Sequence, residues 1–212
     1  MLEESGETNA VIPVRKKETA IFGIVRILEV TLININRIDL IWDTVVMNEL
    51  ALISSCKHSW LTSIAMEAIW VIIEELFNKR VRTEQLKIEM DLEEAYENKE
   101  VINNQATLSG EWIEKIFEPL DKQMDTDFDN NKLIILNYIG NILEKHGNYL
   151  NNVIWKNILE VILKISASNN KELVNQGFKN LKLIVSDYVT RMSQDNIIII
   201  IDIIYIKLLT FS

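Results

Sequence analysis

The sequence predicts an all-α chain of stacked helix pairs, on three observations. An apolar pattern returns after about 42 residues, with Ile113, Ile116, Phe117 and Leu120 followed by Trp155, Ile158, Leu159 and Ile162. A second apolar helix follows each of these at the same spacing, so that Leu136, Ile139, Ile142 and Leu143 superpose on Phe178, Leu181, Ile184 and Val185. Two prolines and six glycines in 212 residues are too few punctuators for an all-β or loop-rich fold.

A period of this length is that of HEAT and armadillo solenoids, in which each pair of helices buries its apolar faces against its neighbours. A third copy lies upstream, where Trp42, Val45 and Val46 correspond to Trp155, Ile158 and Leu159, and Ile69, Ile72 and Ile73 correspond to Leu181, Ile184 and Val185. These offsets equal two periods plus a polar insert of about 30 residues. With 48% apolar residues the chain has enough material for a substantial core.

Taken in order, residues 1–19 are polar, lack apolar periodicity and include Pro13, and are expected to be a disordered lead-in. Helical repeats are expected over 20–78. The first helix follows from Ile24, Ile27, Leu28, Thr31 and Leu32 on one face and stops near Asn34. The second is capped by Asn36, with Asp39 returning the bond, and runs to about Ser54. The third opens at His58 or Ser59, carries a wide apolar face from Ile64 to Leu76 and ends near Asn78. Residues 79–108 are a charged insert or linker, within which a solvated helix is compatible with Glu93 and Glu97. The solenoid resumes over 109–210, with helices near 110–125, 129–146, 152–166, 170–188 and 194–209, making about eight in all. The capping candidates are Ser109, Asp127 or Asp129, Asn151, Asn169 with Glu172 three residues on, and Ser193.

The formal charge of −9 opposes binding to the phosphate backbone of nucleic acid and to an anionic membrane face, and no Lys/Arg run makes a local exception. A single cysteine, Cys56, cannot form an internal disulfide, and no basic-then-apolar leader appears, so a cytosolic chain is expected. The apolar run from Ile197 to Phe211 contains Asp202 and Lys207 and falls short of the roughly 20 residues that cross a bilayer, which makes it a buried helix. The many isoleucines and asparagines read as an AT-rich coding bias rather than chemistry.

No catalytic constellation emerges. The two histidines, His58 and His146, lie in different repeats, and Cys56 with His58 cannot complete a tetrahedral metal site. There is no nucleophile elbow, Cys-x-x-Cys pair or glycine-rich phosphate loop. The sequence therefore predicts a non-enzyme without cofactor or metal. Among five tryptophans, Trp42, Trp70 and Trp155 sit on apolar helical faces and read as core, whereas Trp60 follows Lys57, His58 and Ser59 at a turn and is a candidate partner contact. Arg26 and Arg37 interrupt apolar stretches and are expected to pair with Asp39 or Asp43.

Three stretches carry a resemblance. Ile27 to Trp42 contains Leu28-Glu29, Asn34, Asn36, Arg37-Ile38 and Trp42. Asn141 to Leu150 contains Ile142-Leu143 and Gly147, and is followed by Trp155. Gly177 to Val189 contains Phe178, Leu181 and Asp187. In this order the chain resembles the Mon-two (monensin-sensitivity) family of Golgi and endosomal scaffolds, over roughly residues 20–208. The large Arf guanine-nucleotide exchange factors share the first element downstream of their catalytic module. The sequence departs from the family pattern at Lys156 and around Met192-Ser193, where the family has proline. Family members are very long solenoids, so the likeness is to an interior portion.

The resemblance implies a peripheral, non-enzymatic scaffold on Golgi and endosomal membranes, attached indirectly and acting in vesicle-mediated protein transport. It implies a Dopey-like partner, an aminophospholipid flippase and an Arf-like small GTPase as partners. Two alternatives remain: the regulatory helical region of a large Arf exchange factor, or an unrelated HEAT-repeat adaptor. The signature residues Asn34, Asn36, Arg37, Trp42, Gly147, Trp155, Phe178 and Asp187 read as mainly structural.

Overall fold

A computed structural model of the chain describes residues 14–56, 58–89, 110–126 and 128–210. Among these only helices and turns occur. Helix α1 (Val14–Ile33) leads through a 3₁₀ turn at Ile35–Arg37 into a composite second helix, made of α2 (Ile38–Ile41), a π-helical stretch at Trp42–Ala51 and α3 (Leu52–Ser54). Then come α4 (Ser59–Glu89), α5 (Gly110–Met124), α6 (Asp129–His146), α7 (Asn152–Ser166), α8 (Lys171–Asp187) and α9 (Gln194–Thr210). The fold is all-α and solenoid-like, as the 42-residue period predicts.

Helices α5, α7 and α9 lie side by side in one layer, while α4, α6 and α8 form the second, which α1 extends from the far side of α4. The buried positions explain the layering. On α7, Ile154, Trp155, Ile158, Leu159, Val161, Ile162 and Ile165 are buried, a stripe broad enough to face helices on both flanks and its own partner α8. Helix α4 is likewise lined by Ala65, Met66, Ala68, Ile69, Trp70, Ile72, Ile73, Leu76 and Phe77. It meets α1 on one side and α6 on the other.

Polar contacts repeat with the same period as the apolar ones. Lys164 bonds Asp121 at 2.6 Å, Asn170 bonds Asp129 at 2.7 Å, and Arg191 bonds Asn148 at 2.6 Å. Inside the stack, buried Asn180 donates to the Leu136 carbonyl at 2.7 Å and the Tyr188 hydroxyl donates to the Leu143 carbonyl at 2.9 Å. The exposed pairs contribute little energy, but together they fix one repeat's rotation on the next. Burial depresses Lys164, yet its bonds to Asp121 and Asp125 outweigh this and raise its pKa. Buried Gln123 performs the joining role where the insert interrupts the array. It donates to Ser54 and Ser55, both at 2.9 Å, and accepts from Asn131 at 3.4 Å.

Several local expectations are corrected. Helix α1 begins at Val14, inside the stretch read as a disordered lead-in, and α4 continues to Glu89 instead of ending near Asn78. Arg82, Glu84, Gln85, Leu86 and Lys87 are good helix formers with no proline or glycine among them, so propensity favours continuing the helix beyond Asn78. Asn36 does not cap the second helix: its side chain accepts from Lys79 at 2.6 Å, and no side-chain cap bond forms at either Asn34 or Arg37. Asn170, not Asn169, caps α8, bonding the amides of Glu172 and Leu173. Asp129 lies within the first turn of α6, whose N-cap residue is Phe128. Asn151 caps α7 through Ile154 as expected, and the Ser193 hydroxyl accepts from the Asn196 amide at 3.4 Å. Arg26 pairs with Glu29 along its own helix, whereas Asp43 pairs with Lys115 at 3.3 Å. Ser109, Asp127 and the possible helix around Glu93 lie outside the described residues. One feature carried no sequence signal: the second helix winds as π. In the π stretch, bonds from i to i+5 put more residues in each turn, which lines up Trp42, Val46 and Leu50 on the buried side.

Candidate functional site: a polar groove between second-layer helices

The structure brings some signature residues together and leaves others apart. Gly147 and Trp155 meet at Tyr188. The Tyr188 ring lies 5.3 Å from that of Trp155, and a Cβ on Gly147 would fall 2.4–2.8 Å from Tyr188 ring and hydroxyl atoms. Gly147 has no positive φ, so glycine is needed for close approach and not for backbone conformation. Trp42 is buried and Phe178 half-buried, with the Lys207 ammonium 3.4 Å from the Phe178 ring centre. Asn34 bonds its own helix end at the Val30 carbonyl, and Arg37 and Asp187 are exposed. Of these positions only Gly147 and Trp155 share a contact, at Tyr188, and the described ones do not converge on a reacting centre.

Trp60 is half-buried, with Lys17 5.4 Å from its ring centre. It lines neither of the two recesses described next. Among the described residues no group of histidine, cysteine and carboxylate side chains is arranged to hold a metal.

His146 shows how deeply the helix junctions are packed. Its imidazole stacks on Phe77 with centroids 5.7 Å apart, and neither nitrogen has a hydrogen-bond partner. Burial, reinforced by neighbouring Lys145, holds its pKa below the ordinary 6.5 against the opposing pull of Glu74. The unfolded chain therefore binds a proton more readily than the folded one, and stability is full above pH 6.5 and falls as pH drops toward the folded value. Urea midpoints for the protein are expected to fall between pH 7 and pH 5. His146→Phe, which keeps the ring stack, is expected to remove most of that fall. A related burial effect, with a contribution from Glu67, pushes Tyr138 up to about 12; its ring stacks on Trp70 at 4.3 Å.

Between α6 and α8 the second layer opens into a groove of about 470 Å³. Its walls carry Asn137 and Asn141 from α6 and Gln176, Lys179 and Lys182 from α8. Gly140 forms part of the floor, where a Cβ would come 3.2 Å from the Asn180 side-chain oxygen Oδ1, so the missing side chain lets the helices approach. A second recess of about 540 Å³ shares Asn137, Gln176 and Lys179 and continues along α8 to Asn175 and Glu172. The amides offer both donors and acceptors, as an extended peptide backbone requires, and Lys179 and Lys182 share the lining with the carboxylate of Glu144, so the groove carries charges of both signs. Sequence reasoning missed these residues. Their signal was present as amides and lysines three and four apart on the polar faces of consecutive second helices, but asparagine abundance had been put down to composition.

The described residues thus form a solenoid-like stack of helix pairs with a polar groove between two of its second helices. Residues 103–183 match the family model described as Mon2/Sec7/BIG1-like, HDS, so this stretch is similar to the corresponding region of Mon2 and the large Arf exchange factors. The matched stretch covers the second signature and part of the third, and all of the lysines and amides of the groove lie within it. In those exchange factors this region is a non-catalytic part. No curated protein and no solved structure matches the chain. Among the described residues no helix is long and apolar enough to cross a membrane.

Proposed function

We propose that the chain is a non-enzymatic scaffold segment in vesicle trafficking between endosomes and Golgi, holding protein partners in the groove between α6 and α8. The observation that carries this reading is the family match over residues 103–183, which contains every residue lining that groove except Ser186. The groove's amides suit an extended segment of a partner protein, with Lys179 and Lys182 available to its acidic side chains and Glu144 to its donors. In this reading a Dopey-like protein and an aminophospholipid flippase are the partners, an Arf-like small GTPase a further one, and contact with the Golgi or endosomal membrane runs through them. The second reading, a regulatory helical region of a large Arf exchange factor, is favoured by the same match, because the family model spans both kinds of protein.

The test is mass spectrometry of the native protein captured with an antibody to this segment, read for the captured chain and its companions. Peptides of a Dopey-like protein and a flippase support the scaffold. An exchange domain with Arf peptides promotes the second reading, and the absence of all of these removes the trafficking assignment. Lys179→Glu with Lys182→Glu is expected to cut recovery of the partners at least tenfold with the helical circular dichroism unchanged. Undiminished recovery would move the docking site away from this groove.

A further inference from the structure

The groove between α6 and α8 is lined by polar groups that the fold leaves unused. Elsewhere in the stack, Asn131, Asn151, Asn170 and Asn180 each bond within the chain. In the groove, the side chains of Asn137, Asn141 and Gln176 make no hydrogen bond among the described residues. The same holds for its charges, since Glu144, Glu172, Lys179 and Lys182 have no ion-pair partner among those residues.

These four charges fall in order along the groove. The bonds of Asn180 to Leu136 and of Tyr188 to Leu143 climb both helices together, so α6 and α8 run in the same direction. One period of about 42 residues puts Glu144 level with Ser186, at the far end of the lining. Glu172, in the first turn of α8, stands at the near end, and Lys179 and Lys182 lie between. The order of signs is negative, positive, positive, negative. From Glu172 to Ser186 the helix rises about 21 Å, the span of about seven residues of extended chain. Asn137 and Asn141 are one turn apart, a rise of about 6 Å, close to the roughly 6.6 Å between alternate peptide groups of an extended chain. Each amide can donate to a main-chain carbonyl and accept from a main-chain N–H. An extended segment turns every second side chain to the groove, so seven residues bring four side chains to the four charges.

We propose that the groove takes an extended segment of about seven residues from a partner protein, its main chain bonded by Asn137 and Asn141, with acidic side chains at its middle inward positions and basic ones at its two ends. This rests on the groove being the docking site and not on which protein supplies the segment. A uniformly acidic or uniformly basic segment is disfavoured, because each would bring like charges together. The order of signs reads the same from either end, so charge does not set the direction of the segment.

Fluorescence anisotropy of two dye-labelled peptides against the full 212-residue chain at low salt tests it. One peptide is Lys-Ala-Glu-Ala-Glu-Ala-Lys and the other Glu-Ala-Lys-Ala-Lys-Ala-Glu, both with blocked ends, so that they share composition and net charge and differ only in order. The first is expected to bind at least tenfold more tightly. Asn137→Ala with Asn141→Ala changes two exposed helical positions to a good helix former, and is expected to keep the circular dichroism and weaken binding of the first peptide at least tenfold. Lys179→Glu with Lys182→Glu is expected to abolish the preference. Equal binding of the two peptides by the wild-type chain overturns the inference, as does no binding of either up to about 1 mM, or an asparagine variant that binds as the wild type does. If the peptides fail while the lysine variant still cuts partner recovery, the groove remains the docking site and this form of occupant is wrong. If partner recovery is undiminished as well, the groove reading itself falls.

Discussion

A chain carrying Leu181→Asp is expected to lose its cooperative helical transition at temperatures where the wild-type chain is folded. Leu181 is buried on α8 at the position one period after Ile139, which is also fully buried, so the substitution places a carboxylate between stacked repeats. Losing the leucine's burial and desolvating the new charge together cost about 4 kcal/mol or more. Domains of this size have about 5–15 kcal/mol in hand, so a large share of the margin goes. Circular dichroism against temperature reads the result directly. Lys182→Asp, one residue on and exposed, is the control, expected to leave the midpoint nearly unchanged. A Leu181→Asp chain with an unaltered midpoint would show that the repeats do not stack on this face.

The second large effect is expected at Gly147→Ala. The added Cβ would meet Tyr188 ring carbons at 2.4 and 2.8 Å, and the ring cannot retreat without giving up its bond to the Leu143 carbonyl and its contact with Trp155. Overpacking and loss of a buried hydrogen bond together are expected to lower stability by about 2–3 kcal/mol. Gly23→Ala gives the contrast. Gly23 lies within α1 with nothing within 4 Å of its Cβ position, so the same substitution is expected to be neutral or to stabilise by about 0.5–1 kcal/mol through helix propensity. Combining Gly147→Ala with Tyr188→Leu, which removes the ring, is expected to cost less than the sum of the two single changes in urea unfolding. Strict additivity would mean that the two residues do not meet.

The stacking of Tyr188 on Gly147 also shows where sequence reasoning stops. The glycine stands out in the sequence at the end of an apolar helix, where a cap in left-handed conformation is the ordinary role. Its actual reason is a ring arriving from one repeat later, a contact spanning 41 residues that no local pattern encodes. Caps divide in the same way. Asn151 meets an amide three residues on, a local bond that the sequence shows, while Asn36 is drawn away by Lys79 from a neighbouring helix. Val185 occupies the position equivalent to buried Leu143 yet is 39% exposed, because burial depends on whether a neighbour is present and not on residue type.

The groove was less legible than the fold for a related reason. Apolar residues announce their period because the core selects them at every turn, whereas Asn137, Asn141, Gln176 and Lys179 are distinguished only by facing one another across two helices. Exposed amides elsewhere on the chain look the same in sequence. Only the packing of α6 against α8 makes these few into the walls of one recess.

By itself the sequence determined the helical class, the period, the extents of the last five helices and the identity of the buried tryptophans, since each follows from apolar spacing along one chain. The tertiary structure decided the π winding of the second helix, the reach of α4 to Glu89, the partners of Arg26 and Asn36, and the exposure of Phe22 on α1 and Ile201 on α9. Those depend on which surfaces meet across about 40 residues of chain, and the free energy of such meetings is not written in any window of sequence.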